Sequence, residues 1–174
     1  MDVKDRLIAE LESLPATVNQ VDQRKRGYHL EVLLTPQNVR DFAILMRRLD
    51  FYLVFVSAVH LDPDIEIIYQ FANYHEPCRT LGRAFATSDG QIPTISDIFH
   101  GANWHERETR DMFGVVFSGH PFLEPLLLPE EDADLKPLLK KAAVLKSVER
   151  IRRVKELAKP VAVDNEGRNN PEQN

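Results

Sequence analysis

Residues 104–121, WHERETRDMFGVVFSGHP, hold the densest set of side chains able to do chemistry. Six ionisable groups fall within seven positions (His105, Glu106, Arg107, Glu108, Arg110 and Asp111), and the apolar pair Met112-Phe113 follows at once. Glu106, Glu108 and Asp111 make an acid/base set on paper. Arg107 and Arg110 lie among them, however, and a neighbouring guanidinium favours the ionised carboxylate, which suits salt bridges better than proton shuttling. On a helix Glu106 faces Arg110 and Arg107 faces Asp111, each at i,i+4 spacing. Exposed, such a pair is worth about 0.3–0.5 kcal/mol and the run is simply a solvated face. Trp104 before it and Met112-Phe113 after it argue for burial instead. A buried charge network adds little stability, yet it dictates geometry, because a charge left unpaired there costs several kcal/mol. That is the expectation for a contact between subunits.

Other reactive residues form no stronger pattern. No Ser or Cys nucleophile lies near a strand-to-helix elbow, and no Gly-rich phosphate loop is present. His100 and His105 are five apart and His75 precedes Cys78 by three, neither of which matches paired Cys-x-x-Cys metal spacing. His29 and His60 fall in expected strands, as satisfied structural groups. His120, between Gly119 and Pro121, orders a turn.

The elements that must position these residues follow from periodicity. A helix over Val3–Leu14 is capped by Asp2, carries Val3, Leu7, Leu11 and Leu14 on one face, and is stopped by Pro15. Strands are expected at Thr17–Asp22 and Tyr28–Leu34, around a polar turn at Gln23–Gly27; the second alternates Tyr28, Leu30, Val32 and Leu34 with His29, Glu31 and Leu33. Thr35-Pro36 opens a helix whose stripe is Val39, Phe42, Ala43, Met46 and Leu49. Phe51–Leu61 and Ile65–Tyr74 read as a hairpin across Asp62-Pro63-Asp64, and Arg79–Thr87 continues the meander to a loop at Ser88-Asp89-Gly90. A helix spans Thr94–Phe113 and stops at Gly114, a left-handed cap. The class is therefore α+β, a single domain with one mixed or antiparallel sheet covered by helices on one face.

Past Pro129 the character changes. Glu130-Glu131-Asp132 is acidic, and Leu135–Lys159 has a helical period with Leu145, Val148, Ile151, Val154 and Leu157 on an apolar stripe among many Lys and Arg. This basic helix suits docking on an acidic groove of a neighbouring subunit. It also suits an anionic membrane surface, or a solvated face packed on its own domain. Three parts result: an α+β domain over 1–130, a basic helical extension over 131–163, and a polar, disordered tail over 164–174.

Composition bounds the partners. A net charge of −5 offers no overall basic field for nucleic acid. The single cysteine, Cys78, can neither close an internal disulfide nor by itself hold an iron–sulfur cluster, and it predicts a reducing compartment. The opening MDVKDRLIAELESL reads as an amphipathic helix rather than a signal peptide. No apolar run approaches the roughly 18 residues that a membrane span needs, so membrane association comes through a partner or surface contact.

One ordered series of residues goes further. Asn103-Trp104, then Glu106-Arg107-Glu108-x-x-Asp111-Met112-Phe113-Gly114, Phe117-x-Gly119-His120-Pro121 and Leu127-Leu128-Pro129-Glu130 closely resemble the signature of the 30 kDa subunit of respiratory complex I, the C-type subunit of the bacterial NADH–quinone oxidoreductase. The weaker resemblance reaches upstream, so it covers roughly residues 1–130. It implies a non-catalytic subunit of the hydrophilic arm that itself binds no cluster, FMN, NADH or quinone, those belonging to partner subunits. It implies docking on the 49 kDa-like subunit that helps form the quinone pocket, near iron–sulfur subunits, in a machine coupling electron transfer to proton translocation. Such a chain is peripheral, on the cytoplasmic face of the membrane. On this resemblance Trp104, Glu106, Arg107, Glu108, Arg110, Asp111, Met112, Phe113, Gly114, Gly119, His120 and Pro121 serve structure and contact between subunits. The family usually follows His-Pro with an acid and then arginines, where this chain has Phe122-Leu123-Glu124-Pro125, and only Pro137-Leu138-Leu139-Lys140-Lys141 resembles its later Pro-Leu-Arg-Lys-Asp. Membrane-bound nickel–iron hydrogenases and deazaflavin-dependent dehydrogenases use the same type of subunit and are the alternative setting. A stand-alone enzyme using Glu106, Glu108 and Asp111 is the rival from another class.

Overall fold

The computed structural model describes residues 2–61 and 64–139. Helix α1 runs over Val3–Leu11: Asp2, in extended conformation, caps it by accepting the Asp5 N–H at 2.7 Å. Val3, Leu7 and Leu11 bury as the stripe required. The helix stops short of Leu14, because the Leu14 N–H turns back to the Leu11 carbonyl at 3.0 Å just before Pro15. Strand β1 is Thr17–Gln20. The expected polar turn closes as one helical turn, α2 (Gln23–Arg26), with the Asp22 side chain capping Arg24 and Gly27 left-handed at φ 81°. Strand β2 (Leu30–Leu34) follows, and then α3 (Val39–Arg48), entered through a 3₁₀ turn at Pro36–Asn38. Asn38 fastens that entry, accepting the Thr35 N–H at 2.9 Å and donating to the Pro15 carbonyl at 2.8 Å.

Strands β3 (Phe51–His60), β4 (Ile65–Asn73) and β5 (Arg79–Phe85) complete a five-stranded sheet of order β1-β2-β5-β4-β3. Only β2 and β5 are parallel within it, so the sheet is mixed. Asp62 and Pro63 lie outside the described residues; the Leu61 N–H reaches the Asp64 carbonyl at 2.7 Å across them.

The register sorts the side chains by face. Leu30, Val32 and Leu34 stand beside Thr80, Gly82 and Ala84, which stand beside Phe71, Tyr69 and Ile67. This face holds the core together with α1 and α3. Gly82 makes room for α3, since a Cβ there would meet the Phe42 ring at 2.7 Å. Glu31, Leu81 and Gln70 share the opposite face with Leu33, Arg83 and Ile68. There Arg83 donates to Glu31 at 2.8 Å and to Glu66 at 2.7 Å, and the Tyr28 hydroxyl joins Glu31 at 3.2 Å.

A second, two-stranded parallel sheet was not legible in the sequence: β6 (Gln91–Pro93) pairs with β7 (Val116–Ser118). It displaces the start of the following helix, α4, which spans Ala102–Phe113 rather than beginning at Thr94. The Thr94 N–H is taken by the Ser118 carbonyl at 3.0 Å, which prolongs the strand pairing, and the residues after it make turn bonds to Ile95. Hydroxyl side chains at Thr94 and Ser96 favour this non-helical backbone. Helix α4 lies against β3 and ends as expected at Gly114, φ 79°.

Of the basic extension, 131–139 alone is described, and it is not helical beyond a 3₁₀ turn at Glu130–Asp132. Residues 135–139, expected to begin the basic helix, lie in turn and irregular backbone, with the Leu138 N–H on the Met112 carbonyl at 3.0 Å. The remainder of that helix and the tail lie outside the described residues.

Candidate functional site

Helix α4 carries the charged segment, and its faces divide the charges. Glu106 and Asp111 point inward and are 0% exposed, whereas Glu108 is exposed and Trp104 is 68% exposed. Arg107 and Arg110 lie at the boundary. The i,i+4 pairs expected from spacing do not form: Arg107 turns away from Asp111, and Glu106 takes its bonds from another segment.

Beyond β7 the chain passes back over α4 as a strap, residues 119–128, fastened by its own backbone. Gly119, at φ 82°, starts the turn. His120 Nδ1 accepts the Phe122 N–H at 3.1 Å, and Nε2 lies 3.3 Å from the Asn103 carbonyl on α4, so the ring proton sits on Nε2. Burial holds the His120 imidazole below its ordinary value, despite those two backbone bonds. Arg107 donates to the Glu124 carbonyl at 2.9 Å and to the Pro125 carbonyl at 2.7 Å, its guanidinium 5.1 Å from the centre of the Phe122 ring. One turn further, Asp111 Oδ2 accepts the N–H groups of Leu126, Leu127 and Leu128 at 2.8, 2.8 and 3.2 Å. Arg110 Nη1 approaches Oδ1 at 3.4 Å. Burial opposes the Asp111 charge, but the three backbone donors outweigh it and hold the carboxyl below its usual value.

The hydrogen bonds from Arg107 and Asp111 to the strap all go to backbone, so they do not depend on the side chains of Glu124 and Pro125, while Phe122 adds its ring beneath Arg107 and Leu123 packs against the core. Outward the strap exposes Phe122 at 58% and Leu127 at 57%, with Glu124 between them. Leu135 and Leu138, just beyond it, are also exposed. Pro121 is exposed at the turn, Met112 is half-buried and ties down Leu138 through its carbonyl, and Phe113 packs in the core. Gly114 faces the Lys136 side chain, which a Cβ would meet at 3.2 Å.

Glu106 belongs to a different grip. Oε1 accepts the Ile95 N–H at 2.8 Å, and Oε2 bonds to the Thr94 hydroxyl, which is linked to Ser96 Oγ at 2.8 Å. Burial pushes Glu106 up to about 7, against those donors, which favour the charged form. The expectation that arginines keep this carboxylate ionised is therefore reversed, because no guanidinium touches it. Arg40, on α3, instead makes a two-pronged ion pair with Asp97 at 2.7 Å and donates to the Thr94 carbonyl. Thr94, Ser96, Asp97, Arg40 and Tyr69 were missed in the sequence. A Thr-x-Ser ahead of a helix was the one local signal, and it was absorbed into the expected helix.

Among the described residues, no group of three or more His, Cys, Asp or Glu side chains could hold a metal ion, and no helix is long and apolar enough to cross a membrane. Two grips hold α4 to its neighbours: Glu106 binds the 94–96 loop, and Arg107 and Asp111 bind the strap.

The family described as respiratory-chain NADH dehydrogenase, 30 Kd subunit, matches residues 32–148. The C-type subunit of the NADH-quinone oxidoreductase of Roseiflexus castenholzii is 37% identical over 112 residues, 59% of this chain and 63% of that protein. Its counterpart in Chlorobium phaeobacteroides, of the same name, is 37% identical over 130 residues, 69% of this chain and 76% of its own. The C-type subunit of the F(420)H(2) dehydrogenase of Methanosarcina mazei is 35% identical over 78 residues, covering 44% of this chain and 49% of that one. In fold, a chain of an archaeal membrane-bound sulfane sulfur reductase superposes with a TM-score of 0.66 at 22% identity, over 94% of this chain and 98% of that one. The chain thus spans less than two thirds of the Roseiflexus relative, and the family match includes the whole of α4 and the strap. This chain belongs to the 30 kDa subunit family of respiratory-chain NADH dehydrogenase.

Proposed function

We propose that the chain is a non-catalytic structural subunit in the hydrophilic arm of a complex I-type NADH:quinone oxidoreductase that couples electron transfer to proton translocation. It docks through the strap face on the 49 kDa-like subunit beside the quinone pocket. The carrying observation is the strap itself: a segment held to α4 by Arg107, Asp111 and His120, with Phe122 and Leu127 more than half exposed outward. Large apolar side chains on a pre-ordered backbone are what a stable interface needs, since little freedom is lost on association. Iron–sulfur clusters, FMN, NADH and quinone reside on the partners in this reading, and the chain reaches the cytoplasmic face of the membrane only through the complex.

The test is purification of the tagged chain from its native membranes in mild detergent, with the accompanying subunits identified by mass spectrometry. The proposal expects a 49 kDa-like subunit with iron–sulfur and membrane subunits at fixed stoichiometry; the chain alone in the soluble fraction contradicts it. The similarity to the F(420)H(2) dehydrogenase protein supports a second setting, the equivalent subunit of a deazaflavin-dependent or hydrogenase-type complex. The accompanying subunits distinguish the two. A stand-alone carboxylate enzyme is disfavoured by the burial of Glu106 and Asp111, which are engaged by neighbouring backbone.

A further inference from the structure

Trp104, Glu108 and Met112 follow one another at i,i+4 spacing and form an outer ridge on α4. It lies one residue round the helix from Asn103, Arg107 and Asp111, which hold the strap. Trp104 and Glu108 are exposed, and at the C-terminal end of the ridge the Met112 carbonyl takes the Leu138 N–H. Leu135, Leu138 and Leu139 are exposed there, and Phe122 and Leu127 of the strap are exposed along the flank. An apolar surface of this kind marks a place where something docks. The same side is acidic. Glu108, Glu124, Glu130, Glu131 and Asp134 are exposed, and among the described residues their side chains form no ion pair. The neighbouring cations are already engaged: Arg107 by the Glu124 and Pro125 carbonyls, Arg110 by Asp111, and Lys136 by the Ala133 carbonyl.

We propose that residues 140–159 of this chain, which lie outside the described residues, cover the Trp104–Met112 ridge and the adjoining strap when no partner is bound. The described chain ends at Leu139, beside the C-terminal end of the ridge, so Lys140 starts within reach. Met112 to Trp104 is about 12 Å along the helix axis, and even at the short rise of a helix twenty residues reach about 30 Å. Charge matches as well. Eight Lys and Arg stand in 140–159 against Glu149 and Glu156 alone, opposite a rim of unpaired acids. Leu145, Val148, Ile151, Val154 and Leu157 recur at helical spacing and supply the apolar counterpart. Attachment at the edge of the site gives this segment an effective concentration on the order of millimolar, which a second copy or another subunit arriving from solution lacks. Assembly then exchanges the cover for a partner subunit, a step that rests on the proposed function; the cover itself does not.

Trp104 is the sole tryptophan, so its fluorescence reports this ridge alone. The test is acrylamide quenching of the purified full-length chain without partners, with free N-acetyltryptophanamide as the reference. At 68% exposure an uncovered Trp104 quenches almost as readily as the reference. The proposal expects a shielded, blue-shifted Trp104 whose quenching does not change on dilution. In Lys140→Glu with Lys141→Glu, which reverses the charges nearest Glu108, the quenching constant is expected to rise about twofold or more, because exposed ion pairs give way to like-charge contacts. Adding Glu108→Lys is expected to lower it again. Free quenching in the unaltered chain overturns the proposal and leaves the face to a partner subunit. Shielding that fades on dilution assigns it to a second copy and also overturns the proposal, as does shielding that survives the charge reversal. The unaltered chain and its dilution series decide the matter should the variants not fold. None of these measurements requires a partner subunit, so failure of the cover and failure of docking are separately visible.

Discussion

Asp111 and Glu106 lie five residues apart on one helix, both fully buried, and are driven in opposite directions. What separates them is the count of donors against the loss of water. Three N–H groups keep Asp111 ionised below its ordinary 3.8, so its contribution to stability is present above that value and is lost as pH falls through the lower folded value. Asp111→Ala strands three backbone donors, and we expect a loss of about 2–4 kcal/mol in urea unfolding at pH 7, together with faster amide exchange at Leu126–Leu128. Glu106 lies above its ordinary 4.5, at about 7. The folded chain therefore binds more protons than the unfolded chain between those values, and stability falls as pH rises through that window. Glu106→Gln keeps an acceptor for the Ile95 N–H and carries no charge. Its unfolding free energy is expected to be level from pH 5 to 8, where the unaltered chain loses about 3 kcal/mol. At this scale the sequence misled. Spacing put Glu106 opposite Arg110 and Arg107 opposite Asp111, but i,i+4 proximity does not say which side of the helix is roofed. The roof comes from residues 94–96 and 119–128, and nothing local marks where these return.

The elements were more legible, for a physical reason. The stripes of α1 and α3, the hairpin of β3 and β4 and the Gly114 cap each have a periodic or conformational cause that acts within a few residues. The β6–β7 pairing and the late start of α4 depend on contacts across more than twenty residues and left no such trace. Gly82 shows the same division: one glycine in a strand reads locally as a weakness, whereas in the fold it admits the Phe42 ring of α3. Gly82→Ala is expected to lower stability by about 1–3 kcal/mol, read as a shift of the urea midpoint with an unchanged slope. Arg107 acts on one element alone. Arg107→Ala removes the grip on the Glu124 and Pro125 carbonyls, so exchange near those residues should rise while the sheet amides keep their protection. A uniform rise would place Arg107 in the global core instead.

Across the whole molecule, one sheet face is packed by helices while the fastened strap presents apolar side chains to the outside. The α+β class was evident because helical and strand periods are segregated along the chain, and the family was evident because its residues follow one another in order along α4 and the strap. How the strap is fastened was not evident, since backbone groups carry no sequence. If that face docks on a neighbouring subunit, Leu127→Glu gives the sharpest test: only the backbone N–H of Leu127 serves the fold, while its side chain is 57% exposed. We would measure the urea midpoint of this variant and its yield with partner subunits after purification from native membranes. The account predicts an unchanged midpoint with the partner yield reduced at least about tenfold, as a buried unpaired charge at an interface demands. Partner subunits recovered at the unaltered chain's stoichiometry would contradict it.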